Sequence, residues 1–244
     1  MKKAIAVLSR GYSNNEEYSG LILRNKFIEE NIDSDCDILI FNEGNITKEQ
    51  QEYIQSKTLL ELKFVLVKSF EPIPGVEFDL ETLDFGWGYR HMCNFWFIDF
   101  LNYVKEYDLM LRIDDDCIIR SNIDDIFKEL EDYVCVYGDW RDDYENVTKH
   151  LNSFSLETIG GTIKQRDPSG PYTNVVGFNL IKLRDSLSFL KFLNTLKKSN
   201  NIFIYRWGDL PLWGEVLSYI FTQKEHKKML IKYYHGSHID FVNY

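Results

Sequence analysis

Three consecutive carboxylates, Asp114-Asp115-Asp116, stand between two apolar runs, Leu109 to Ile113 and Cys117-Ile118-Ile119. Adjacent acids repel one another, which raises the cost of ionising them unless a cation compensates. A divalent ion is the simplest compensator, and hard carboxylate oxygens suit Mg²⁺ or Mn²⁺. Asp116 is the first candidate ligand and Asp114 the second; Asp114 has the alternative of facing a ribose or reaching the ion through water. Asp115 takes the opposite orientation if the strand pleat continues, where it is either solvated or set to pair with a base. A neutral imidazole fits beside carboxylates in such a shell. His235, which follows the aromatic pair Tyr233-Tyr234, is the candidate, with His238 as the fallback. Taken alone, the triplet reads equally well as a solvated acidic turn.

The elements that must position these groups are legible as alternating strand and helix signals. Strands are predicted at Lys3 to Ser9, Asp37 to Phe41, Leu62 to Val67, the run ending at the acids, Val134 to Gly138, Thr173 to Leu183 and Met229 to Tyr234. Helices are predicted from Glu16 to Glu30, from Thr47 to Ser56 with a capping-box start, from Trp87 to Val104, from Ile123 to Leu130, from Asp185 to Leu196 and from Asp209 to Phe221. Residues 139 to 171 are polar and contain Gly160-Gly161 and Pro168-Ser169-Gly170, so they read as a long binding loop or lid. The alternation predicts an α/β fold with a doubly wound sheet.

The bulk numbers narrow the partners. A chain of 244 residues fits one large α/β domain, taken here as 1–244. The formal net charge of -10 disfavours nucleic acid and anionic membranes. The four cysteines, Cys36, Cys93, Cys117 and Cys135, show no zinc spacing and read as buried free thiols. The apolar N-terminal stretch is too short for a signal peptide and no segment suffices to span a bilayer. The expectation is a cytoplasmic protein with no membrane anchor.

Several segments in order resemble glycosyltransferase family 15, the fungal α-1,2-mannosyltransferases. Tyr89-Arg90-His91-Met92-Cys93-Asn94-Phe95 is similar to that family's Y-R-x-M-C-R-F helix. Leu111 to Asp116 aligns with its W-R-V-E-P-D, which does the work of a D-x-D motif. Asp124-Asp125-Ile126-Phe127 sits at the D-x-D-x-F-type segment that follows. Arg206-Trp207-Gly208-Asp209-Leu210-Pro211 matches R-W-G-D-A-P, and Tyr233 to His238 falls where the family has an aromatic pair and a later His. Even Leu8-Ser9-Arg10 is similar to its opening L-x-R-N. The resemblance implies a GT-A-like fold with a mostly parallel central sheet flanked by helices. It implies Mn²⁺ or Mg²⁺, a GDP-mannose donor, a glycan or protein-linked glycan acceptor, and retention at the anomeric carbon.

The departures matter as much. The family's acidic Glu is Asp114 here and its middle Pro is Asp115. Tyr172 to Leu180 aligns with C-H-F-W-S-N-F-E-I, which puts Asn179 where the family has its proposed nucleophile; an amide cannot form the same glycosyl ester. Asn179 is therefore expected to orient the sugar, and a same-face route replaces a covalent intermediate. Asp114-x-Asp116 with Asn174-x-x-Gly177-x-Asn179 also resembles glycogenin-type retaining transferases, which mostly use UDP-sugars.

On this reading Arg10 and Tyr12 follow the first strand, at the edge where a nucleotide lies, with Tyr12 stacking on the base. Arg90 and Arg112 offer charge to a diphosphate. Arg112, on a buried strand, reads better as an ion-pair partner of Asp84 or Asp139. Asp209 opens a helix, either capping it or facing the reacting groups. Trp207 and Trp213 are sugar platforms or core. Two other classes stay open: a sugar-binding protein without turnover, which Asn179 favours, and a metal-dependent nucleotidyltransferase or phosphohydrolase, which the missing G-x-x-x-x-G-K disfavours.

Overall fold

The computed structural model describes residues 1–160 and 168–236, so His238 and Gly161 lie outside the described residues. A seven-stranded sheet forms the centre: β1 (Lys3–Leu8), β2 (Asp37–Asn42), β3 (Leu62–Leu66), β4 (Leu109–Ile113), β6 (Cys135–Tyr137), β9 (Val175–Asn179) and β10 (His226–Lys228). Across the sheet the strands run β10-β6-β9-β4-β1-β2-β3. All neighbours are parallel except β9, which is antiparallel to both β4 and β6. Buried on both faces, β1 and β4 are mostly apolar, with Lys3 opening β1 and Arg112 the one charged residue within β4.

The pleat sorts their side chains into two cores. Ala4, Ala6 and Met110 join the core built with α3 (Trp87–Phe97), α7 (Leu187–Ser199) and α9 (Asp209–Tyr219). Ile5, Val7, Leu109, Leu111 and Ile113 join the other, with α1 (Ser19–Glu30) and α4 (Ile123–Asp132). The small Ala pair under β1 makes room for the aromatic-rich first core, where Phe178 and Trp213 stack 4.2 Å apart.

Local signals hold at α2 (Lys48–Gln55). Thr47 accepts from the Gln50 amide at 3.3 Å while the Gln50 side chain accepts from the Thr47 amide at 2.9 Å. Gln50 also donates to the Tyr12 carbonyl at 2.7 Å, which ties this cap to the loop after β1.

Elsewhere the structure departs from expectation. The helix expected to reach Val104 stops at Phe97, and a short 3-10 turn, Asp99–Asn102, follows. That break turns both Phe97 and Phe100 onto Trp213. The segment read as strand to Leu183 is β9 followed by α6 (Leu180–Asp185), and α7 begins after Ser186, whose hydroxyl caps it. The polar stretch 139–171 is structured over much of its described length. A ribbon of β7 (Trp140–Asp142) and β8 (Ser169–Pro171) flanks α5 (Leu151–Ile159). A short α8 (Asn201–Tyr205) and β10 carried no clear sequence signal. Finally, β5 (Cys117–Ile119) pairs antiparallel with β11 (Tyr233–His235), a small ribbon beyond the end of β4.

Candidate active site

The acids lie where β4 leaves the sheet. Asp114 N donates to the Asn174 carbonyl at 2.9 Å, and Cys117 N donates back to the Asp114 carbonyl at 3.1 Å, so the triplet is a tight turn between β4 and β5. The β5–β11 ladder then sets Cys117 opposite His235. This register brings His235 Nε2 to 3.4 Å from Asp116 Oδ2. On its other side, His235 Nδ1 lies 3.0 Å from the Tyr172 hydroxyl. His235 thus faces Tyr172 through Nδ1 and Asp116 through Nε2, so a ring held by Tyr172 offers Nε2 to an ion bound at Asp116. The hydrogen bond to Asp116 raises the His235 pKa against the opposing effect of burial. Burial pushes Asp116 up, but the bond and charge of His235 outweigh it and the net shift is downward. A divalent ion at this position would compete with His235 for Asp116.

Asp114 is not part of that pair. Both its oxygens accept from Arg112, Nε at 2.7 Å and Nη2 at 3.1 Å. Arg112 Nη1 reaches Asp209 at 2.5 Å, and the guanidinium sits 4.5 Å from the centre of the Trp96 ring. Arg112 is thus an ion-pair residue, as its buried strand position implied, but its partners are Asp114 and Asp209 rather than Asp84 or Asp139. Burial raises Asp114 despite Arg112, aided by Asp209 and Asp116. Asp209 does not cap α9: the N-cap is Gly208, and no side-chain cap bond forms.

Asp115 turns the other way, into a cavity of about 730 Å³ that Ser9, Arg10, Tyr12, Tyr89 and Asp116 also line. Burial, then the charges of Asp114 and Asp116, push Asp115 up to about 6, against the pull of Arg24 and Arg10. Arg10 lies 4.8 Å over the Tyr12 ring, and Tyr12 meets Tyr18 edge-on at 5.0 Å. A second cavity of about 440 Å³ lies on the His235 side, lined by Asp139, Arg141, Tyr172 and Tyr233.

Two expected site residues lie elsewhere. Asn179 pairs with Leu109 at the far end of β4, whereas Val175 pairs with Ile113 beside the acids. At about 3.4 Å per residue, the four steps from Val175 carry Asn179 roughly 14 Å away along the strand. Its side chain accepts from Lys182 N at 3.0 Å and donates to the Leu130 carbonyl at 2.8 Å. It is the N-cap of α6, not a sugar-orienting group. Arg90 is fully buried and spends its guanidinium on backbone carbonyls, Thr82 at 2.6 Å, Phe203 at 2.7 Å and Phe85 at 2.8 Å. It joins α3 to α8 and offers nothing to a diphosphate. Trp207 and Trp213 are likewise fully buried core.

Three residues escaped the sequence reading. Arg24, buried on α1, donates to the Ile113 carbonyl at 2.9 Å, and its Nη2 has no hydrogen-bond partner. Its charge opposes those of Asp115 and Asp114. An Arg on the buried stripe Leu21-Arg24-Asn25-Ile28 was the available signal. Cys117 is placed by strand register and Tyr172 by a bond from its amide to the Asp139 carbonyl, neither of which a local pattern reveals.

No family model matches the chain, and no curated protein matches it. Solved structures do. Core-mannan synthase A (CmsA/Ktr4) from Aspergillus fumigatus, in an Mn/GDP form, superposes with a TM-score of 0.80 at 18% identity, covering 96% of this chain and 74% of that one. The fold is the GT-A glycosyltransferase fold. The mannosyltransferase Ktr4p from S. cerevisiae gives 0.79 at 15% identity, over 96% of this chain and 70% of that one. Mouse xyloside xylosyltransferase 1 gives 0.56 at 11% identity, over 94% and 85%. The fungal pair are family 15 mannosyltransferases, the family whose motifs the sequence resembles. Among the described residues no helix is long and apolar enough to cross a membrane.

Proposed function

We propose that this chain is a metal-dependent glycosyltransferase, a single domain that moves a sugar from a nucleoside diphosphate donor to a hydroxyl of a glycan or protein-linked glycan. The observation that carries the reading is the Asp116–His235 pair beside a cavity that Arg10 and Tyr12 also line. A volume of about 730 Å³ falls in the range of small-molecule sites. Tyr12 supplies a ring for a base, and Arg10 a cation for the donor's charge. Carboxylate and imidazole together fit Mn²⁺, with Mg²⁺ the alternative. The ion would stabilise the departing diphosphate as a Lewis acid.

The chain's own residues do the remaining work. Tyr172 holds the His235 ring. Arg112 offsets part of the charge of Asp114 and Asp209, which would otherwise repel an anionic donor more strongly. GDP-mannose is the favoured donor because one solved neighbour is an Mn/GDP form and another, a mannosyltransferase, is in complex with GDP. Retention follows the same resemblance. With Asn179 far from the acids and Asp209 tied to Arg112, a same-face route fits better than a covalent intermediate: the departing phosphate takes the acceptor proton as its hydroxyl attacks.

Purified protein incubated with Mn²⁺ and a panel of nucleotide sugars tests the reading. GDP should appear from GDP-mannose faster than UDP from any UDP-sugar, and chelator should stop it. A preference for a UDP-sugar transfers the donor assignment to the glycogenin-type alternative. Donor binding without turnover leaves a sugar-nucleotide-binding protein, and release of monophosphate or pyrophosphate defeats glycosyl transfer.

A further inference from the structure

The Asp116–His235 pair has a third neighbour. Cys117 is directly opposed to His235 in the β5–β11 ladder, and opposed residues of an antiparallel pair project to one face with Cβ atoms about 4.5–5.5 Å apart. Its Sγ lies 3.8 Å from Asp116 Oδ1. The carboxylate, thiol and imidazole each present a ligand atom within 4.8 Å of the other two. Among the described residues this is the one group of three or more such side chains close enough to share an ion. A tetrahedral Zn²⁺ holds ligand atoms about 3 to 4 Å apart, given bonds of about 2.0 to 2.3 Å, so modest side-chain rotation closes the set.

A thiol is not what a hard ion asks for. Mg²⁺ and Mn²⁺ select oxygen, while thiolate selects Zn²⁺ and its softer relatives. Cys117 is fully buried with its Sγ beside Asp116. A hard ion leaves the S–H bond intact, having no preference for sulfur. A thiophilic ion instead displaces that proton: the S–H bond breaks, a metal–sulfur bond forms, and one H⁺ leaves to solvent.

We propose that Asp116, Cys117 and His235 form an oxygen–sulfur–nitrogen site at which Zn²⁺ binds more tightly than Mn²⁺ and displaces it. The proposal rests on the reading of Asp116 and His235 as ion ligands and adds a donor the family motif does not contain. Three protein ligands leave a fourth position open for water or a phosphate oxygen. Zn²⁺ and Mn²⁺ occupancy are mutually exclusive, so trace Zn²⁺ sets how much of the protein is available to Mn²⁺.

The test uses the full chain stripped of metal, with Co²⁺ as spectroscopic stand-in for Zn²⁺. Adding Co²⁺ should produce a near-ultraviolet sulfur-to-metal charge-transfer band, and Zn²⁺ should abolish it. The band should be absent in Cys117→Ser and in Cys117→Ala, the second variant covering the case in which a buried hydroxyl disturbs the fold. Calorimetric titration should show Zn²⁺ affinity falling about tenfold more than Mn²⁺ affinity in these variants. Mn²⁺ binding with no charge-transfer band, or with equal losses for both ions, overturns the thiol ligand and leaves the proposed function standing. A band that persists in Asp116→Ala with unchanged affinity places the sulfur site elsewhere and overturns the proposal. Failure of Mn²⁺, Co²⁺ and Zn²⁺ alike to bind removes the proposal and the metal-dependent reading together.

Discussion

Arg112 decides how neighbouring carboxylates coexist at the end of one strand. It is buried and bonds Asp114 through two nitrogens and Asp209 through a third. Removing it leaves buried Asp209 and partly buried Asp114 without their cation, so Arg112→Met should cost about 3–5 kcal/mol in a urea melt. Arg112→Lys should recover little, because an ammonium cannot reproduce the planar fork. The exposed side of the turn behaves differently. Asp116→Ala should abolish Mn²⁺ binding and donor turnover, and should lower metal-free stability only slightly, through loss of the contact with His235 that holds the Asp116 pKa down. His235→Ala should weaken Mn²⁺ binding about 10- to 100-fold by calorimetry. Unchanged Mn²⁺ affinity in both variants would sink the assignment. That Asp116 and His235 meet was legible because the acids end a buried strand and the aromatic strand before His235 pointed back to them. Asn179 was misplaced because motif alignment counts residues but not strand direction. As the cap of α6 its loss should cost about 1–2 kcal/mol, so Asn179→Ala should melt earlier yet turn over donor at the parental rate.

The elements that bring Asp209 to Arg112 depend on two glycines. A Cβ on Gly214 of α9 would lie 1.7 Å from the Ser169 carbonyl oxygen, and one on Gly170 of β8 would lie 1.9 Å from the Leu210 carbonyl oxygen. Helix and ribbon therefore meet backbone to backbone. Gly214→Ala must push α9 off β8, and overpacking of this kind costs about 1–3 kcal/mol or more. A Tm lower by roughly 5–10 °C in a thermal melt is expected for a chain of this size. An unchanged Tm would mean the contact yields freely. This contact hid in the stretch read as a binding loop: three-residue strands and a helix of mixed pattern carry too little periodicity to stand out. The long strands and capped helices of the first half were legible, because two-sided burial and a capping box leave clear patterns.

At the scale of the whole molecule, the sheet has a charged clamp at the edge away from the acids. Asp37 accepts from the Tyr107 hydroxyl and from Lys63, each at 2.7 Å, joining β2, β3 and the approach to β4. Burial pushes Asp37 up, but the bonds from Lys63 and Tyr107 outweigh it and hold its pKa below the ordinary carboxylate range. Its contribution is complete above the unfolded-state value of about 3.9 and is lost as pH falls through the lower folded value. Asp37→Asn should cost about 0.5–1 kcal/mol at pH 7, and the gap from the parent should close in denaturant melts as pH falls below the ordinary carboxylate range. A gap that persists in acid would assign the effect to packing. The overall architecture was legible from alternation alone, but the reversed β9 and the separate β5–β11 ribbon were not, because pairing partners far apart in sequence leave no local trace.

That ribbon orders events in time. Asp116 and Cys117 lie in the middle of the chain, while His235 comes on the final described strand. On the reading proposed above, a polypeptide leaving the ribosome presents two of the three ligands once four of the seven sheet strands have been made, and the imidazole is synthesised only after β6, β9 and β10. An ion met early would be held by two groups and would exchange freely. The grip would close when β11 zips onto β5, so capture of the ion would report that this ribbon has formed.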